Sequence, residues 1–136
     1  MPNVRPLNER KYGISKHKFL QIYHFCLQYN EWKDELAYKT STLKSYQITG
    51  MPGGGKGTGK PTESLAIRRA QLSANMELVE QTCMEAGEGI YQWLLKAVTN
   101  EGIGYVYLRQ CMGIPCGKKM YYEKRRKFYW LMAQKM

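Results

Sequence analysis

Six glycines and two prolines fall within the twelve residues Gly50-Met-Pro-Gly-Gly-Gly-Lys-Gly-Thr-Gly-Lys-Pro61. Such a run has almost nothing to bury, and its glycines lose the most backbone freedom on ordering. It predicts a flexible linker over residues 50–61, with an N-terminal basic helical arm (1–49) on one side and a helical domain (62–136) on the other. A chain of 136 residues has room for one domain, or for one small domain with such an arm. Its 43% apolar content supplies a modest core. No window approaches 18 apolar residues, so no membrane span is expected. The opening MPNVRPLNERKYG has no apolar run of the kind a secretory leader needs.

Both flanks carry helical periodicity, and neither has the alternation of a strand, so the fold class is all-α. Ser15 is placed to cap a helix through about Tyr29, with Phe19, Ile22, Tyr23, Cys26 and Tyr29 on one face. Asn30 reads as an interruption, followed by a helix from Glu31 to about Tyr46 with Trp32, Leu36 and Leu43 inward. After the linker, Thr62 is an N-cap candidate with Glu63 in the first turn. A helix from Glu63 to about Met84 then places Leu65, Leu72, Met76, Val79 and Cys83 along one side. Gly87 and Gly89 end it. Ile90 to Thr99 is a strongly apolar helix suited to the middle of the core, and Tyr105 to Cys111 is a shorter one. Gly113-Ile-Pro115 forms a turn, and the last helix starts at Gly117 or Lys118.

Charge is concentrated at the two ends. Residues 1–60 carry a net charge of +6, residues 61–104 of −3 and residues 105–136 of +7, within a chain total of +10. The last 32 residues hold eight Lys or Arg and one acid, Glu123. Cationic charge gathered on one terminal helix after a tight turn is a nucleic-acid footprint.

Other motifs carry less. Gly54-Gly-Lys-Gly-Thr-Gly59-Lys60 fits the phosphate-binding pattern G-x-x-x-x-G-K, but Pro61 stands where that loop needs the hydroxyl of Ser or Thr for magnesium. Neither nucleotide chemistry nor a cofactor is expected. His17 and His24 lie seven residues apart, too far for the i, i+4 pair of a helical zinc site, and no catalytic constellation accompanies them. Cys111 and Cys116 are weakly zinc-like in spacing. With Cys26 and Cys83 they read as reduced structural thiols. Glu77, Glu80, Glu85 and Glu88 read as a solvated acidic face or a patch for a basic partner.

The C-terminal residues follow a helix-turn-helix plan. Tyr105, Leu108 and Met112 line the inside of the first helix, Gly113 suits a left-handed turn and Ile114 packs inward. Tyr121, Phe128, Leu131 and Met132 form the core side of the last helix. Lys118, Lys119, Tyr122, Arg125 and Arg126 then take the other side, as the candidate nucleic-acid-binding residues. Cations near the start of a recognition helix reach base edges, and those further along hold phosphates.

Certain pieces of the chain resemble a known family. They are Gly50-Met-Pro with Pro61-Thr62-Glu63, Ala66-Ile-Arg-Arg69, and Gly113-Ile114 with Tyr121-Tyr-Glu-Lys-Arg-Arg-Lys127, spread over about residues 50–136. Together they look like the small transcriptional activators of phages of Gram-positive bacteria, of the RinA and ArpU type, whose C-terminal part is similar to the promoter-binding region of sigma factors. The resemblance implies a phage or prophage transcriptional regulator in the cytoplasm of a bacterial host, not an enzyme. Its partner would be double-stranded DNA, with host RNA polymerase or another host complex as a second partner and a homodimer as one arrangement. The chain departs from the family in one place. Phage regulators of this kind often read Ile-Ser-Arg-x-Thr-Tyr-Tyr after the turn. Here Ile114-Pro-Cys-Gly-Lys-Lys-Met-Tyr-Tyr122 is about two residues longer, with Pro115 in place of the capping Ser. A second class of protein has the same gross features: a phage accessory protein that binds a protein or ribonucleoprotein target, such as an inhibitor of host defence, or a small DNA-packaging subunit.

Overall fold

The computed structural model describes residue 7 and residues 9–37 and 59–136. It is all-α, with no strand among the described residues. The elements are α1 (Glu9–Tyr12), α2 (Lys16–Leu27), α3 (29–37), α4 (Gly59–Ala86), α5 (Tyr91–Thr99), α6 (Tyr105–Met112) and α7 (Lys118–Lys135). Helix α4 packs on α5 and α7, and α2 packs on the same two helices. The α5–α7 pair is therefore held between α2 and α4, while α6 docks on α5.

Local chemistry explains most of these elements. The Ser15 hydroxyl accepts the Lys18 amide at 3.1 Å, satisfying one of the orphan donors of α2. Phe19, Ile22, Tyr23, Cys26 and Tyr29 are all buried, as their spacing predicts. The break comes at Gln28, not Asn30. Gln28 stays in the right-handed region (φ −79°, ψ −7°), and the chain resumes as α3 with Trp32 N–H donating to the Gln28 carbonyl. Asn30 lies inside α3 and works across the bundle. Its amide donates to the Thr99 carbonyl at 3.1 Å and to Asn100 Oδ1 at 3.0 Å, tying α3 to the end of α5. Trp32 is buried and Leu36 packs at the core edge. Leu43 and Tyr46 lie outside the described residues.

Helix α4 begins at Gly59, four residues before the expected Glu63. Thr62 is thus within the helix instead of capping it, and Glu63 lies beyond its first turn, which holds no acid. Pro61 falls in that first turn, where a missing N–H costs no helical bond. The expected linker accordingly loses its last three residues to α4, and residues 50–58 lie outside the described residues. At the other end, α4 stops before Gly87, where a side chain would force its neighbours to shift. A Cβ there would stand 2.8 Å from Leu94 Cδ2 and 3.2 Å from the Cys83 carbonyl.

A single core unites both flanks of the glycine-rich segment. It joins Phe19, Ile22, Tyr23 and Cys26 of α2, Tyr29 and Trp32 of α3, Leu72, Val79 and Cys83 of α4, Leu94 and Val98 of α5, and Tyr121, Phe128, Tyr129 and Met132 of α7. The Phe19 ring meets Tyr129 at a centroid distance of 4.7 Å. The described part of the N-terminal segment therefore packs as part of the bundle and does not stand off as an arm. Two polar contacts reinforce this. The Tyr29 hydroxyl donates to Glu80, and Arg68 pairs with Glu35 at 3.0 Å. Glu85 pairs with Lys135 at 3.0 Å, and Lys135 also donates to the Thr82 hydroxyl at 3.1 Å, closing the end of α7 on α4. Of the acidic stretch, Glu80 is half-buried and bonded to Tyr29, while Glu77, Glu85 and Glu88 are exposed, Glu85 in its pair with Lys135.

Two outcomes follow. Phe19→Ala deletes a fully buried ring and is expected to lower unfolding stability by about 3–5 kcal/mol in urea titration. A chain cut at a protease site inserted between Gly54 and Gly55 is expected to elute from gel filtration as one complex, separating only in denaturant. A C-terminal piece that eluted alone with undiminished helical circular dichroism would contradict the shared core.

Candidate nucleic-acid interface

Three contacts set the angle between α6 and α7. Gly113 closes α6 in the left-handed conformation (φ 64°, ψ 41°), and its amide and that of Ile114 both return to the Leu108 carbonyl. The Trp93 indole donates to the Met112 carbonyl at 2.9 Å, fastening the turn to α5. The Tyr105 hydroxyl donates to the Cys116 carbonyl at 2.8 Å, fastening it to the start of α6. Leu108 and Ile114 are buried beneath. Gly117 stands at the N-cap of α7 without a side-chain capping bond, and no acid lies in the first turn. That turn keeps the positive end of the helix dipole, to which Lys118 and Lys119 add two exposed ammonium groups.

The five sequence-predicted residues separate into two environments. Lys118 and Lys119 are exposed. Lys118, Tyr122 and Arg126 follow at four-residue spacing, a row along one flank of α7. Tyr122 and Arg126 are half-buried, and the Tyr122 ring stands edge-on to Tyr121 at 4.9 Å. Arg125 is turned further inward. Its guanidinium lies over the Tyr129 ring, 4.9 Å from the centroid. Tyr129 is buried where the sequence had suggested only Tyr121, Phe128, Leu131 and Met132, so the inner face of α7 is wider than expected and Arg125 borders it.

Burial pushes the Tyr129 hydroxyl far above its ordinary range, with Arg125 opposing the shift. Burial likewise raises Tyr121 to about 12, again against the pull of Arg125. The thiols of Cys26 and Cys83 are pushed up by burial as well. Cys116 is half-buried and Cys111 exposed, and no cluster of three metal-ligating side chains exists among the described residues. His17 and His24 are exposed.

Periodicity did not single out the outer side of α6. Val106 is 63% and Tyr107 42% exposed. Between them and the start of α7 lies an open cleft of about 450 Å³, lined in part by Tyr105, Val106, Tyr107, Gln110, Lys118 and Tyr122. No acid occurs from Ile103 to Tyr122, while Arg109, Lys118 and Lys119 fall in that span.

The chain is 35% identical over 66 residues to a protein of Streptococcus phage O1205 named as an autolysin regulatory protein, ArpU. The match takes in 48% of this chain and 44% of that protein, so it spans less than half of either. The chain is a distant homologue of a phage protein named for regulation and not for catalysis. No family model matches the chain, and no solved structure matches it. No helix among the described residues is long and apolar enough to cross a membrane.

Two outcomes test the division within α7. Arg125→Ala removes a cation packed on a buried ring and is expected to cost about 0.5–2 kcal/mol of stability, read from the shift in urea midpoint. Burial favours the neutral form of Tyr121 in the folded chain. Its folded pKa lies above the unfolded value, so its contribution is complete below about pH 10 and is lost as pH climbs towards 12. The melting temperature is expected to fall across that window, and Tyr121→Phe to flatten part of the fall.

Proposed function

We propose that this chain is a phage or prophage transcriptional regulator that binds double-stranded DNA through α6, the Gly113 turn and α7, acting in the cytoplasm of a bacterial host. The observation that carries the reading is the first turn of α7. It is uncapped by side chains, free of acid, and presents Lys118 and Lys119 outward from a turn held by three hydrogen-bonded anchors. A helix end of this kind suits a phosphate-lined groove. Tyr122 and Arg126 continue the same flank and meet DNA behind it. Arg125 belongs to the margin of that surface, because its guanidinium is engaged by Tyr129. The name of the phage homologue supports a regulatory role.

The test is duplex binding by Lys119→Ala and Arg126→Ala over several salt concentrations, with the exposed acid Glu77→Ala as control. Removing a cation that neutralises one phosphate is expected to reduce the magnitude of the salt slope by about 0.9. A regulator is also expected to prefer its operator to random duplex by at least about 10³-fold. Wild-type affinity in both basic variants would remove α7 as the reader. Tight capture of a host protein by that same wild-type chain would leave an accessory protein, such as a defence inhibitor, as the better reading.

A further inference from the structure

We propose that the cleft between α6 and the start of α7 takes an unpaired nucleobase, so that this face binds single-stranded or bulged DNA as well as duplex. The inference rests on the nucleic-acid reading of α6 and α7 and extends it to a ligand that the paired helix does not offer.

The argument starts from what lines the cleft. Tyr105, Tyr107 and Tyr122 bring three aromatic rings to one opening. Tyr105 is tethered through its hydroxyl to the Cys116 carbonyl, and Tyr122 is braced against Tyr121, so two of the three rings are held in place. Tyr107 is 42% exposed, which leaves it able to cover a planar ligand from the side. Gln110 lines the same opening, and its side-chain amide carries both donors and an acceptor for a base edge. Lys118 also lines the cleft and is exposed, and its ammonium is a counter-charge for the attached phosphate. Gly102 and Gly104 line the mouth without side chains, so a sugar-phosphate backbone can come close.

Size and charge agree with this occupant. At about 450 Å³ the cleft falls within the roughly 300–1,000 Å³ range of small-ligand sites, large enough for one nucleotide. The acid-free span from Ile103 to Tyr122, with Arg109, Lys118 and Lys119, favours a polyanion. Stacking on tyrosine faces tolerates any base, because each base has a π-face. A base already unpaired enters without the cost of unstacking a duplex, which favours bulged and single-stranded substrates over intact helix.

The experiment compares Tyr107→Ala and Tyr107→Phe with wild type on three fluorescent probes: a 20-base-pair duplex, the same duplex with a one-nucleotide bulge, and one of its single strands. Tyr107→Ala is expected to weaken bulged and single-stranded binding by roughly 5- to 150-fold, with intact duplex binding and melting temperature unchanged. Tyr107→Phe is expected to restore the wild-type values. Cys111 also lines the cleft and is exposed, so its alkylation by iodoacetamide, followed by fragment mass spectrometry, reads occupancy directly. The single strand is expected to slow it. Equal affinity of Tyr107→Ala and wild type for all three probes overturns the proposal. So does an equal loss on duplex and single strand, or protection of Cys111 by an acidic peptide but not by the oligonucleotide. Failure of wild type to bind any of the probes sinks the nucleic-acid reading itself, whereas tight duplex binding together with bulged and single-stranded binding that Tyr107→Ala leaves unchanged sinks only the cleft.

Discussion

Tyr121, Phe128, Tyr129 and Met132 make α7 half core and half surface, and the other helices take their positions from that buried stripe. Phe19 of α2 packs onto Tyr129, α4 and α5 flank the same helix, and Lys135 at its end is gripped by Thr82 and Glu85. Burying large aromatic side chains is among the strongest terms available to a domain of this size. A cationic helix of this composition gains little from its own charges, which repel one another. Its stability comes from the side that water does not reach, and that burial fixes the stretch of helix that carries Lys118, Lys119 and Arg126.

Features decided within a few residues were legible in the sequence. Ser15 bonds to an amide three positions on, Gly113 takes a conformation that other residues resist, and the start of α7 follows from the turn before it. The all-α class was legible for the same reason, since helical periodicity is local. The break at Gln28 was not. No glycine or proline marks it, and Asn30, the expected marker, is recruited by Thr99 and Asn100 from 69 and 70 positions away. The early start of α4 was hidden as well, because Gly59 and Pro61 are poor helix residues everywhere except a first turn.

The candidate site divides along the same line. Lys118 and Lys119 were legible as cations at a helix start. The inward lean of Arg125 was not, because it depends on Tyr129 being buried, and that depends on Phe19 arriving from the other side of the glycine-rich segment. The outward side of α6 was also missed. Tyr105, Leu108 and Met112 were expected inward and do pack on the core, but nothing in their spacing said that Val106 and Tyr107 opposite them would border a cleft.

The bond from the Trp93 indole to the Met112 carbonyl has a wider consequence. A surface that must order itself on meeting its partner gives up affinity for each side chain and turn it freezes. Here the turn is already clamped by α5 from below and by Tyr105 from the side, and the clamps use backbone carbonyls that no surface substitution alters. Outward residues such as Lys119 and Met120 can therefore change identity while the frame that carries them stays put. The turn and the bundle beneath it form a mount whose outer surface can vary without a new fold.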